Sequence, residues 1–128
     1  MGLPKDSPFF PVETGQVILE GPNCLALFDR YPVSKGHALV VPFRPVSSLF
    51  ELDEHMQAEL WDTVRQVRDI LDKRFSPSGF NIGVNDGRAA GQTVPHAHVH
   101  IIPQYTGDVP DPRGGIRWLL PDKAKYWA

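Results

Sequence analysis

Thirteen prolines and eleven glycines are spread over 128 residues, and this punctuation limits what the chain can form. Proline removes a backbone donor and glycine loosens the backbone, so each interrupts regular structure. One long helix is predicted despite them, over "DEHMQAELWDTVRQVRDILDKRF" (Asp53–Phe75). There Met56, Leu60, Val64, Val67 and Leu71 recur at three- and four-residue spacing and form one apolar stripe. Asp53 suits the N-cap, Glu54 and Glu59 suit the positive end, and Lys73 and Arg74 suit the negative end. "SPSG" (Ser76–Gly79) stops the helix, and the preceding "VSSLFEL" reads as a short extra helical turn.

The remaining segments are short and β-rich. "GQVILEG" (Gly15–Gly21), "CLALFD" (Cys24–Asp29) and "HALVVPF" (His37–Phe43) are separated by Gly21-Pro22-Asn23 and by Arg30–Gly36, which predicts a three-strand meander. Phe80–Asn85 and Thr93–Gln104 read as a further pair joined by "DGRAAGQ". The expected fold is α+β, with a mainly antiparallel sheet of about five strands, one long helix and a short one. One domain is expected over residues 1–128, with 1–15 as an N-terminal extension and 106–128 as a Pro/Gly-rich tail on the surface.

A formal charge of −2 gives no general basic footprint for duplex nucleic acid. No apolar run approaches the roughly 20 residues of a membrane helix, and "MGLPKDSPFF" lacks the apolar core of a secretory signal. Asp6 also stands where a myristoylation motif wants Ser or Thr. The lone Cys24 has no disulfide partner within the chain and reads as a core residue, so a cytoplasmic setting is expected.

The stretch "QTVPHAHVHIIPQY" (Gln92–Tyr105) holds three of the five histidines at alternate positions, His96, His98 and His100. On a strand they share one face, roughly 6–7 Å apart, while Ala97, Val99 and Ile101 face the other way into the core. Pro95 and Pro103 bracket the row, which suits a strand lining a cleft better than one inside a continuous ladder. A surface strand, a metal clamp and a pH-sensing cluster are all conceivable. A zinc site would need His37 or a carboxylate from elsewhere, because His96 and His100 lie too far apart on an extended strand to share one ion. Phosphorus chemistry without a metal uses the pattern more fully. A neutral imidazole can attack an activated phosphoryl centre, and crowding the rings together opposes charging all of them at once.

H-A-H-V-H-I-I (His96–Ile102) fits the histidine triad motif, in which three histidines alternate with apolar residues and two apolar residues follow. Ala26–Val46 and Asn85–Pro103 are similar to the strand-loop-strand region and the phosphate-binding hairpin of the histidine triad nucleotide hydrolases, and the resemblance covers roughly residues 16 to 106. It implies hydrolysis at the α-phosphorus through a nucleotidyl-histidine, with no metal or other cofactor. His98 then takes the nucleophile's place, and His96, His100 and His37 contact phosphate or help protonate the leaving group. Gly91, Gln92, Thr93 and Val94 fall where the family holds phosphate, Asn85 where a polar residue lies near the leaving group, and Asp29 at the ribose position.

The branch within the family stays open. Asp29 is similar to the nucleoside phosphoramidases, whereas "IIPQY" and "FRPV" resemble the fragile-histidine-triad type that acts on dinucleoside polyphosphates. The second is the first choice, with an adenine nucleotide as partner and AMP as product. The alternatives are a phosphoramidase and a slow nucleotide-binding or signalling module. The resemblance also implies a two-fold homodimer. Phe9, Phe10 and Leu27 are candidates for an adenine wall, and Arg113 and Arg117 for a distal phosphate or a second subunit, against an ordinary surface tail. Arg44 and Arg88 are similar cases, while His55 and the three tryptophans read as helix-surface and packing residues.

Overall fold

The computed structural model describes residues 2–128. Five strands, β1 (Val17–Glu20), β2 (Cys24–Phe28), β3 (Ala38–Pro42), β4 (Gly79–Gly83) and β5 (Val99–Gln104), form one antiparallel sheet in the order β1-β2-β3-β5-β4. The helix α1 (Glu54–Phe75) lies between β3 and β4 in the chain, and a single 3-10 turn, Leu49–Glu51, precedes it. The expected α+β architecture and the meander are therefore present.

The helix is bounded as its sequence dictates. The Asp53 carboxylate accepts from the Met56 amide at 2.8 Å, which satisfies one of the orphan donors of the first turn. At the other end Ser76 turns left-handed (φ 49°), and Pro77 cannot continue the helix. Leu60, Val64, Val67 and Leu71 bury the stripe against Ala26, Ala38, Val40, Val99 and Ile101 on one face of the sheet.

The opposite face is buried too. Leu25, Leu27, Leu39, Val41 and Phe43 form a second cluster, covered by Leu3, Phe9 and Val12 of the N-terminal segment. Burial on both faces explains why β2 and β3 read as continuous apolar runs rather than alternating ones. The pairs Leu39↔His100, Val40↔Val99 and Ala38↔Ile101 then set the histidine row on the face away from α1.

Two expectations about the row are corrected. Strand β5 begins at Val99 and not at Thr93, so His96 and His98 lie in a lead-in ahead of it that bends over residues 94–96. The strand is also interior to the sheet, paired with β3 on one side and β4 on the other. The bracketing prolines do not contradict an interior place, because β3 pairs no further along than Ile101, and at Pro103 only β4 lies alongside. The cleft exists because the lead-in runs past the ends of both neighbours' pairing, at Val99 with β3 and His100 with β4.

Candidate active site

Hydrogen bonds to groups of fixed polarity determine which ring nitrogens carry protons. The Nδ1 of His98 is 2.9 Å from the carbonyl oxygen of His96. A carbonyl can only accept, so Nδ1 carries the proton and Nε2 of the neutral ring keeps its lone pair. The Val33 amide donates to Nδ1 of His37 at 3.2 Å, which leaves the proton of neutral His37 on Nε2. That Nε2 faces Nδ1 of His100 at 2.9 Å, so His100 accepts there and carries its own proton on Nε2. The rings of His98 and His100 meet edge to face with centroids 4.9 Å apart. The result is one imidazole with a free lone pair beside one that offers an N–H.

Burial keeps His37, His96 and His100 uncharged. Desolvation lowers the affinity of His37 for a proton, opposed by the Asp29 carboxylate 3.5 Å from its Nε2. Burial, with the charges of His98 and His37 adding to it, holds His100 down to about 4. His96 is lowered as well, chiefly by burial.

His96 differs from the other two members of the row. It is 2% exposed, its Nε2 donates to the Pro42 carbonyl at 2.7 Å, and its Nδ1 faces the Ser7 hydroxyl at 2.8 Å. With both nitrogens committed to protein, its ring has none left for a ligand.

A cleft of about 410 Å³ opens beside His98 and His100. Leu27, Leu39 and Phe9 give it an apolar wall, and Asp29 and Gln16 a polar one. Asn85 and Gly91–Val94 line the phosphate end expected from the sequence, so nearly all the expected site residues converge here. His37 lies behind the cleft, at 3% exposure, in contact with His100. Phe10 does not line the cleft, whereas Phe9 and Leu27 do.

The loop over residues 87–94 is locally built. Gln92 ties it together: its carbonyl oxygen accepts from the Gly87 amide, and its amide nitrogen donates to the Ser47 and Val94 carbonyls. Gly91 has φ 95° and open space where a Cβ would stand, so its conformation requires glycine, in addition to any close approach of a ligand. Asp29 combines two roles, accepting from the Tyr31 amide at 2.9 Å as a turn residue while its other oxygen reaches toward His37.

Asp29, His37 and His100 also place one ligand atom each within 4.8 Å of one another. A carboxylate and two imidazoles at this spacing are a donor set that a zinc-type ion accepts, and the fold supplies the partners that the histidine row alone lacked. Arg113 and Arg117 stand elsewhere. Arg113 pairs with Asp111 and lies over Trp127, and Arg117 donates to the Ala124 and Lys123 carbonyls. Ser7, Gln16 and Leu39 are site residues the sequence did not reveal, and Pro8, Arg30 and Tyr31 line the cleft as well. Ser7 carries no motif, and Leu39 is one apolar residue within a wholly apolar run.

Comparison with known proteins agrees with this fold. The family model described as HIT domain matches residues 11–107. The asymmetrical bis(5'-nucleosyl)-tetraphosphatase of Schizosaccharomyces pombe is 43% identical over 108 residues, which covers 83% of this chain and 59% of that protein. The AP-4-A phosphorylase of Mycobacterium tuberculosis is 37% identical over 97 residues, covering 75% of this chain and 50% of that one. Among solved structures, the Caenorhabditis elegans NitFhit protein superposes with a TM-score of 0.70 at 36% identity, over 75% of this chain and 23% of its own. The chain thus spans 59%, 50% and 23% of the lengths of these relatives.

Proposed function

This chain belongs to the HIT domain family, and on that premise we propose that it cleaves dinucleoside polyphosphates at the α-phosphorus, with Nε2 of His98 as nucleophile. The observation that carries the reading is the bond from His98 Nδ1 to the His96 carbonyl, which leaves the lone pair on Nε2 of a ring that lines the cleft. In the first step the Nε2–P bond forms and the bond from phosphorus to the polyphosphate oxygen breaks. The imidazole becomes cationic, and its Nδ1–H, held by the His96 carbonyl, stabilises that charge. The N–H on Nε2 of His100 donates to a phosphate oxygen, and His37 fixes that tautomer from behind. Water then attacks phosphorus, the N–P bond breaks, and a nucleoside monophosphate and a proton leave.

Asp29 accepts from the ribose hydroxyls, the Gly91–Val94 loop and Asn85 hold phosphate, and Phe9, Leu27 and Leu39 take the base. His96 acts as a positioning residue, since both of its nitrogens are occupied. A two-fold dimer and a cytoplasmic setting belong to the same proposal. Among the described residues, no helix is long and apolar enough to cross a membrane.

The test is product analysis with diadenosine tetraphosphate and chelator, with and without inorganic phosphate. Attack by water yields AMP and ATP, whereas attack by phosphate on the same intermediate yields ADP and ATP. AMP formed in chelator supports the proposal. Adenosine phosphoramidate consumed faster than the tetraphosphate moves the substrate to the phosphoramidase side, which Asp29 favours. The Asp29–His37–His100 cluster supports a second reading as a zinc enzyme, and loss of turnover in chelator with stoichiometric metal would establish it. AMP binding without turnover of either substrate would make the cleft a binding site only.

A further inference from the structure

His96 and His98 precede β5, so the sheet's ladder does not hold their rings. The grip on His96 comes partly from the far end of the chain. Ser7, 6% exposed, sets its hydroxyl 2.8 Å from His96 Nδ1 across 89 residues of sequence. The other ring nitrogen already donates to Pro42, so Nδ1 accepts and the hydroxyl donates. The same oxygen accepts from the Phe9 amide at 3.2 Å, within a turn in which Ser7 N–H bonds to the Pro4 carbonyl and Phe10 N–H to the Ser7 carbonyl. One hydroxyl therefore joins the first histidine of the row to the N-terminal strap and orients the Phe9 backbone. The Phe9 ring then meets His96 and His98 edge-on, with centroids 5.6 Å and 5.1 Å away.

We propose that Ser7 is a positioning residue for the reaction at His98: acting through His96 and Phe9, it fixes the nucleophile's ring and clasps residues 4–12 over the nucleoside end of the cleft. This rests on His98 being the nucleophile. Two links carry the effect. Through His96, the hydroxyl satisfies a buried nitrogen. Without it Nδ1 is a buried acceptor with no partner, which loosens the ring that Pro42 holds and with it the residue whose carbonyl holds His98 Nδ1. Through Phe9, it seats an aromatic edge against the His98 ring. A contact that served the fold alone would alter stability and leave both rings in place.

The test compares wild type with Ser7→Ala in three measurements: kcat and KM on diadenosine tetraphosphate, AMP affinity, and ¹⁵N spectra of the histidine rings. The expected result is a kcat lowered about tenfold, with KM changed less, as for loss of one buried hydrogen bond that orients the reacting group. The ring signals of both His96 and His98 shift. Wild-type kcat with unmoved His98 signals overturns the proposal, even if the melting temperature falls. If wild type shows no turnover, the nucleophile reading fails separately. Ser7 is then judged by the spectra and AMP affinity, and unchanged values for both overturn its role. If Ser7→Ala does not fold, amide exchange in wild type decides. The Ser7 and Phe9 amides exchanging as slowly as those of β5 support the clasp, and unprotected exchange overturns it.

Discussion

Lowering the pH from 7 to 4 destabilises this fold through His100. An exposed histidine titrates near 6.5, whereas burial holds His100 at about 4 in the folded chain. The folded value lies below the unfolded one, so the unfolded chain binds more protons between them, and stability rises with pH across that window. At pH 5 an unfolded His100 is almost fully protonated and a folded one mostly neutral, a difference of about 0.9 proton, or about 1.2 kcal/mol of stability per pH unit. Integrated from pH 7 to pH 4, His100 alone costs about 3 kcal/mol, on the order of 10 °C in Tm for a chain of this length. His37 and His96 are shifted in the same direction and steepen the slope. Carboxylates also titrate near the acid end, so the assay is urea unfolding from pH 7 to pH 4 on wild type and on His100→Gln. Glutamine can still accept from His37 but cannot take up a proton. The variant should be less stable at pH 7 yet show a shallower pH dependence, by about one proton near pH 5. Equal slopes for the two proteins would refute the burial-driven neutrality of His100.

Three further outcomes follow from the geometry. Asp29→Asn should raise KM for diadenosine tetraphosphate about tenfold and narrow the preference for ribose over 2′-deoxyribose, as one of two accepted hydroxyl bonds is lost. Steady-state kinetics on both sugars checks this, and an unchanged preference counts against Asp29 as the ribose contact. Gly36→Ala should cost on the order of 3 kcal/mol, because Gly36 has φ 90° and a Cβ there would stand 2.8 Å from the Phe75 ring; thermal melts check it, and an unchanged Tm would refute the packing. Arg117→Ala should leave kcat and KM untouched, since its guanidinium caps the Lys123 and Ala124 carbonyls within the tail. A raised KM would place it at a distal phosphate instead.

What the sequence displayed was the part set by local pattern. The helix was expected over Asp53–Phe75 and runs over Glu54–Phe75, because its stripe, N-cap and stop are all neighbours in the chain. The meander and the common face of His98 and His100 follow from turn residues and two-residue alternation. What stayed hidden depends on distant partners. His96 looked equivalent to its neighbours in the row, and only contacts 54 and 89 residues away occupy its two nitrogens. The interior place of β5 is a property of strand order, which proline positions do not encode. Residues 1–15 read as an extension, yet Leu3, Ser7, Phe9 and Val12 cover the second face of the sheet and reach the site. Asp29 read as a ribose ligand, and only its bond to the Tyr31 amide and the approach of His37 show its carboxylate divided between the turn and the histidines.

The central claim is that the lone pair on His98 Nε2 attacks phosphorus. Intact-protein mass spectrometry during turnover of diadenosine tetraphosphate, in chelator, tests it most directly. The account predicts a transient adduct of AMP mass on wild type, and none on His98→Ala, whose turnover falls at least about 10³-fold while it still binds AMP. Turnover retained by His98→Ala, or an adduct that maps to His96 or His100, would contradict it.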